Sequence, residues 1–237
     1  MVSFNGISLE SIDSAIKILD VTVGAPQVQN TTIEPALADG DIFARARFLS
    51  RKVLVTFLVM EDDMQRRALV LSRITAWANT RSPQKLRVPQ EERGYLTAVC
   101  SSFPDDSARD YWTELHVEFT CNSPYYQANE ESSVDLGDSH VVTVVHADAP
   151  AWRIEQTVSN ALAYPMWALG SKFVQFVAVG TGKLVITRSD QTAMLGENSA
   201  LPALMLGSRF FDLAAGLNQI DTENGAGGVI YWRERWL

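Results

Sequence analysis

The chain is short of the residues from which most active sites and cross-links are built. It holds 3 histidines and 2 cysteines in 237 residues. Cys100 and Cys121 lie in no CxxC or Cys/His cluster, so neither a disulfide framework nor a structural zinc site is expected. Both read as small buried residues of a protein kept reduced. Positive charge is scarce too: 20 Lys and Arg stand against 28 Asp and Glu, a formal charge of −8. A module that grips nucleic acid carries the opposite balance. The longest apolar run, VLVTFLVM (Val53 to Met60), is less than half of the roughly 20 residues a membrane-spanning helix needs. The opening MVSFNGISLESID has neither the basic nor the apolar part of a signal peptide, so Asn30-Thr31-Thr32 carries no expectation of a glycan.

What is present is the material of a folded protein, 46% hydrophobic and 20% charged, long enough for two domains. VLVTFLVM alternates Val53, Val55, Phe57 and Val59 with Leu54, Leu58 and Met60, the pattern of an interior strand covered on both faces. Next, Glu61 to Asp63 supply the negative charge a helix start favours. Ala68, Leu71, Ile74 and Ala78, widened by Val70 and Trp77, then recur at helical spacing. A helix over about 62–79 is expected, ended ahead of Pro83. YLTAVCSSF and WTELHVEFTC, joined across PDDSARD, read as a hairpin with Leu115, Val117, Phe119 and Cys121 inward.

Around NSPYYQANEESS the texture changes, placing a domain boundary at about residue 130. Beyond it, HVVTVVH, AWRIEQTV, KFVQFVAV, GKLVITR, SRFFDLA, LNQIDT and VIYWRERWL are separated by glycine-marked turns, as in an antiparallel β-sandwich. The fold class is thus mainly β: an N-terminal β-domain with one helix, residues 1–130, then an all-β domain, residues 131–237.

No catalytic constellation emerges, and no metal or cofactor site. His140 and His146 would lie about 20 Å apart along an extended chain, and His116 falls on the polar face of its strand. Glu61, Asp62 and Asp63 suit helix capping better than acid–base work, and Asp105 and Asp106 read as turn residues. There is no nucleophile elbow, phosphate loop or H-E-x-x-H. Arg45, Arg47, Arg51 and Lys52 form a local basic cluster. It is either the outward face of a strand or a contact for an acidic neighbouring subunit. Trp112, Trp152, Trp167, Trp232 and Trp236 fall in strand-like contexts, where core is the default and a carbohydrate-binding sandwich the alternative.

The order of segments resembles the distal tail (Dit) proteins of long-tailed bacteriophages. FNGISL opens the chain. ALADGDIFARARFLSRKVLVTFLVM leads into the helix that ends at Trp77, and KLRVPQEERGYLTAV and WTELHVEFTCNSPYY follow. AGLNQI, a glycine-rich turn and YWRERWL close it. The resemblance implies a structural virion protein and not an enzyme. It implies a homo-hexameric ring at the end of the tail tube, built by the first domain, with a galectin-like sandwich outside it. Its implied partners are the tube protein, the tail-tip hub protein and receptor-binding proteins. DNA passes through such a ring without specific binding, and no membrane insertion is implied. The protein would be made in the host cytoplasm and end in the virion, at the tail tip. No galectin sugar-binding residue is matched.

The last segment is expected to close the second domain as one strand from Val229 to Leu237. Alternation puts Ile230, Trp232, Glu234 and Trp236 on an inward face and Tyr231, Arg233 and Arg235 on the outward one. Glu234, between two tryptophans, then needs a partner, a bulge or a sheet edge.

Overall fold

The computed structural model describes residues 1–33, 42–104, 114–137, 140–146 and 151–237. Asp105, Asp106 and Trp112 lie outside these residues. The chain divides into two compact units, Met1–Tyr126 with Leu237, and Gln127–Trp236.

In the first unit the strands are β1 (Ser3–Phe4), β2 (Ile7–Ser8), β3 (Ile16–Val23), β4 (Val28–Ile33), β5 (Ile42–Phe48) and β6 (Arg51–Val59). The helix α1 (Met64–Ala78) follows, then β7 (Gln84–Arg87), β8 (Gly94–Ser102) and β9 (Leu115–Cys121). The main sheet runs β2-β1-β7-β8-β9-β6-β3. β6 is interior, paired antiparallel with β3 and β9. Its Val53, Val55, Phe57 and Val59 are fully buried, as the alternation requires. The other face is less covered than expected: Leu54 and Leu58 are half-buried and Met60 is exposed. β9 buries Leu115, Val117, Phe119 and Cys121 as read.

Asp63 caps α1, its carboxylate accepting the Gln65 amide at 2.8 Å, which satisfies one orphan donor of the first turn. The buried stripe is Arg67, Val70, Leu71, Ile74, Trp77 and Ala78. Ala68, assigned to that stripe from the sequence, is exposed. The contact face begins one position earlier, at Arg67, which is 5% exposed and donates from its guanidinium to the Val59 carbonyl at 3.5 Å. Trp77 meets Phe119 edge-on at 5.8 Å between ring centroids, and Phe4 lies 4.8 Å from Phe119. The Trp77 indole donates to the Ile7 carbonyl at 3.0 Å.

β4 and β5 stand apart from this packing. They pair with each other, and every side chain described on them is exposed. The ribbon continues the β3–β6 ladder: Gly24 donates to the Lys52 carbonyl and Leu49 to the Gln27 carbonyl, both at 2.8 Å. The arginine-rich FARARF is therefore half of a two-stranded arm. The connection between its strands, residues 34–41, lies outside the described residues.

In the second unit the first strands are β10 (Tyr126–Ala128, starting one residue before the division), β11 (Ser132–Asp135), β12 (Val141–Val144), β13 (Trp152–Val158), β14 (Leu162–Ala163), β15 (Met166–Leu169) and β16 (Lys172–Gln175). There follow β17 (Ala178–Val179), β18 (Gly182–Thr187), β19 (Thr192–Leu195), β20 (Asn198–Ser199), β21 (Gly216–Gln219), β22 (Asp221–Glu223), β23 (Val229–Trp232) and β24 (Arg235–Trp236). The largest sheet is β11-β23-β13-β18-β19-β20. Smaller sheets are β16-β15-β22, β12-β21 and β14-β17. Their inward residues form one core that includes Trp152, Trp167, Phe176, Phe211 and Trp232. Phe211 stacks on Trp152 at 4.4 Å and 18°. Among the described residues the protein is thus mainly β with one α-helix, in several antiparallel sheets.

Three expected strands take other forms. KFVQFVAV is split into β16 and β17 by the bend at Val177, next to Phe176, which bridges to Leu204. LNQIDT is split into β21 and β22, which join different sheets on either side of the buried Ile220. SRFFDLA is no strand: Phe211 and Leu213 are buried, but its backbone bonds singly, as Arg209 to the Phe173 carbonyl at 2.7 Å. Alternating burial arises wherever an extended chain crosses a core, with or without a ladder partner.

Candidate functional site

The titratable residues weighed for chemistry in the sequence make structural contacts. His116 shares a 3.1 Å hydrogen bond with the Thr56 hydroxyl. Glu61 pairs with Arg66 at 2.8 Å, while Asp63 caps the helix. Among the described residues no three His, Cys, Asp or Glu side chains gather as metal ligands. Burial pushes the Cys121 thiol up to about 12, so it stays protonated and inert. Cys100, expected to be buried, is half-exposed, and burial still raises its thiol, the nearby Glu118 adding to the shift.

The four basic residues singled out from the sequence are not brought together. Arg45 and Arg47 lie on the exposed arm, on one face of β5; a register shift at Ala44 puts Phe43 on the other face, with Ala46 and Phe48. The Arg47 guanidinium donates to Gln29 at 2.8 Å across the ribbon. Arg51 is only 4% exposed, its guanidinium 5.1 Å above the Tyr126 ring. Lys52 pairs with Glu118 at 2.9 Å and, with Ser101, holds that carboxyl below the usual range. The surface left for a partner is the arm itself. It carries the large apolar residues Val28, Ile33 and Phe43, all more than half exposed, beside two arginines.

The closing segment is two strands, not one. β23 pairs with β11 and β13, the chain breaks at Arg233-Glu234, and β24 pairs with β10. Trp232 is buried, but Trp236 is half-exposed, its ring 5.3 Å from His146. Arg233 donates to the carbonyls of Ala128 and Asn129 at 2.7 and 2.8 Å. Tyr231 lies under Arg153, 4.4 Å from guanidinium to ring centroid. Glu234 causes the break. Its carboxylate accepts the Trp232 indole at 3.0 Å and the backbone amides of Val145 and His146 at 3.1 and 3.0 Å. That satisfies an acidic group a continuous strand would have driven into the core. Trp152 and Trp167 are buried and donate to the Phe211 and Gly227 carbonyls, each at 2.9 Å. Like Trp232, they are core residues and form no sugar platform.

One charged cleft was not legible beforehand, because its residues are scattered in sequence. Lys172, Arg188, Gln191, Leu201, Leu204, Ser208, Arg209, Phe210 and Asp212 surround an open volume of about 540 Å³. Lys172 at the start of β16 and Arg188 just past β18 converge on Asp212: Lys172 Nζ at 2.8 Å, Arg188 Nη2 at 2.6 Å and Nε at 3.0 Å. The bond from Lys172, with the pair to Arg188, holds the Asp212 carboxyl below its usual range despite partial burial.

Comparison with known proteins agrees with the resemblance read from the sequence. Residues 146–236 match the model of the siphovirus-type tail component, C-terminal domain, a family of structural tail parts and not of enzymes. The crystal structure of the Dit (gp 19.1) protein of phage SPP1 is described as a paradigm of the hub adsorption apparatus in phages infecting Gram-positive bacteria. It aligns over 100% of this chain and 98% of its own, with a TM-score of 0.82 and 16% identity. The likeness at that identity is one of fold, and it runs the whole length of the chain. The activated phage p2 baseplate with Ca aligns at a TM-score of 0.45 and 6% identity, over 93% of this chain and 90% of that one, and adds nothing to the assignment. No curated protein sequence matches.

Proposed function

We propose that this protein is a distal-tail hub, a structural part of a long-tailed phage that forms a ring at the end of the tail tube and links it to the tip. The supporting observation is the tail-component match over residues 146–236, set in a chain whose whole fold follows that of a Dit protein. In this reading six copies form a ring. Residues 1–130 build it and residues 131–237 form an outer, galectin-like domain. The tube protein docks on one side and the tip hub, with any receptor-binding proteins, on the other. The β4–β5 arm supplies the subunit contact, through Arg45 and Arg47 and the apolar residues beside them, with Lys52 at its root. An isolated two-stranded ribbon is marginally stable in water, so an arm exposed on both faces is completed by a partner. An acidic chain suits a ring that DNA must traverse, since a basic lumen would hold the DNA back. The protein resides in the virion after synthesis in the host cytoplasm. No helix among the described residues is long and apolar enough to cross a membrane.

Native mass spectrometry and light scattering over a rising concentration series test the ring. A hexamer supports the reading. A chain that stays monomeric both alone and when mixed with its tube and tip proteins overturns it.

A further inference from the structure

We propose that the cleft bounded by Lys172, Arg188, Arg209 and Phe210 is a binding site for an anionic saccharide, a sugar ring bearing a carboxylate or phosphate. The first ground is charge. From Gln127 to Trp236 the sequence holds seven Lys and Arg against twelve Asp and Glu. Three of those seven cations line this one cleft, with Asp212 as its only acidic residue. Like charges gathered in a domain of the opposite sign repel one another, and an incoming anion relieves that repulsion.

The second ground is construction. Asp212 neutralises one charge while clamping two side chains, so Lys172 and Arg188 are held in place with a surplus positive charge and unused donors. Arg209 adds a second surplus charge: among the described residues no hydrogen bond or ion pair engages its exposed guanidinium. Its backbone is fixed by the bond to Phe173. The neighbouring Ser208 hydroxyl is tied to Gln175, donating to the carbonyl at 3.1 Å and accepting the amide at 3.2 Å. Gln191 sits at φ +52°, at the turn where its amide bonds the Arg188 carbonyl.

The third ground is the lining. Leu201, Leu204 and the half-buried Phe210 give the cleft an apolar wall beside its cations. A pyranose presents that same pair of surfaces, a face of C–H groups and a charged substituent. The volume of about 540 Å³ falls in the range of roughly 300–1,000 Å³ typical of small-ligand sites. This inference goes beyond the ring reading and stands whether or not the chain forms a ring.

Calorimetric titration of the full chain at low salt separates the sources of the anion. The probes are trigalacturonate, glucose 6-phosphate, inorganic phosphate and neutral maltotriose. Both anionic sugars should bind saturably, inorganic phosphate about tenfold or more weakly, and maltotriose not at all. Arg209→Ala should weaken the anionic sugars by about tenfold with an unchanged melting temperature, and Arg209→Lys should fall between. Absence of saturable binding of either anionic sugar up to about 10 mM overturns the proposal. So does equal affinity in wild type and Arg209→Ala, or inorganic phosphate binding as tightly as glucose 6-phosphate.

Discussion

Asp212 is kept ionised by two cations at once, and that gives its unit an acid-sensitive fastening. Its folded pKa is depressed, so the stability it contributes is present above the unfolded value of about 3.9 and is lost as pH falls through the lower folded value. Asp212→Asn should therefore melt below the wild type near neutral pH, and the gap should close below about pH 4. Calorimetric scans at several pH values check this; a gap independent of pH would show that the carboxylate's charge is not what matters. Gly228 offers a second test. It sits at φ +90°, and an added Cβ would strike the Glu155 carbonyl and the Gln156 backbone. Both obstacles are main chain within a sheet and cannot turn aside. Gly228→Ala should cost about 2 kcal/mol or more in denaturant unfolding.

At the level of elements, legibility followed how local the determinants were. α1 was readable because its cap, stripe and stop all lie within its own sequence, and β9 because one face is buried and the other is not. The arm was only half readable: the arginines of IFARARF could be placed on an outward strand face, but VQNTTI and IFARARF carry no period that marks a buried face, because neither strand has one. SRFFDLA misled for the opposite reason, its burial being real and its ladder absent. The cleft could not be found, since Lys172, Arg188 and Asp212 meet only through the fold. The break in the final strand was half visible, in that Glu234 between two tryptophans demanded a partner, but the amides of Val145 and His146 are remote in sequence. Glu234→Ala leaves those amides and the Trp232 indole without their acceptor. It should destabilise by about 1–3 kcal/mol, with faster hydrogen exchange at the two amides. Unchanged exchange there would show that the carboxylate does not hold the break.

For the molecule as a whole, the last six residues test how the second unit is closed. Removing residues 232–237 takes away a buried tryptophan and the groups that hold Ala128, Asn129, Val145 and His146. The unit should then unfold, seen as loss of its melting transition, and an unchanged transition would refute the closing role of this segment. The arm tests assembly. Arg45→Glu with Arg47→Glu leaves the core untouched, so the melting temperature should hold while the proposed oligomer is lost in native mass spectrometry. Retention of the full assembly would place the subunit contact elsewhere.

The arm's two strands carry arginines and apolar groups and no carboxylate, so they are not their own complement. A twofold dimer would need arm to meet arm, or each copy's arm to seat on the other copy at once. When an arm instead seats on a different surface of a second copy and the exchange is not returned, each copy is left with one engaged end and one open end, and the contact must repeat. Such a head-to-tail series has two fates, closure or an endless filament. The angle between arm and surface, and not the strength of their contact, then decides how many subunits complete the circle. A substitution that re-aims the root of the arm at Gly24 or Gln27 would accordingly change the subunit number while leaving the affinity between neighbours intact.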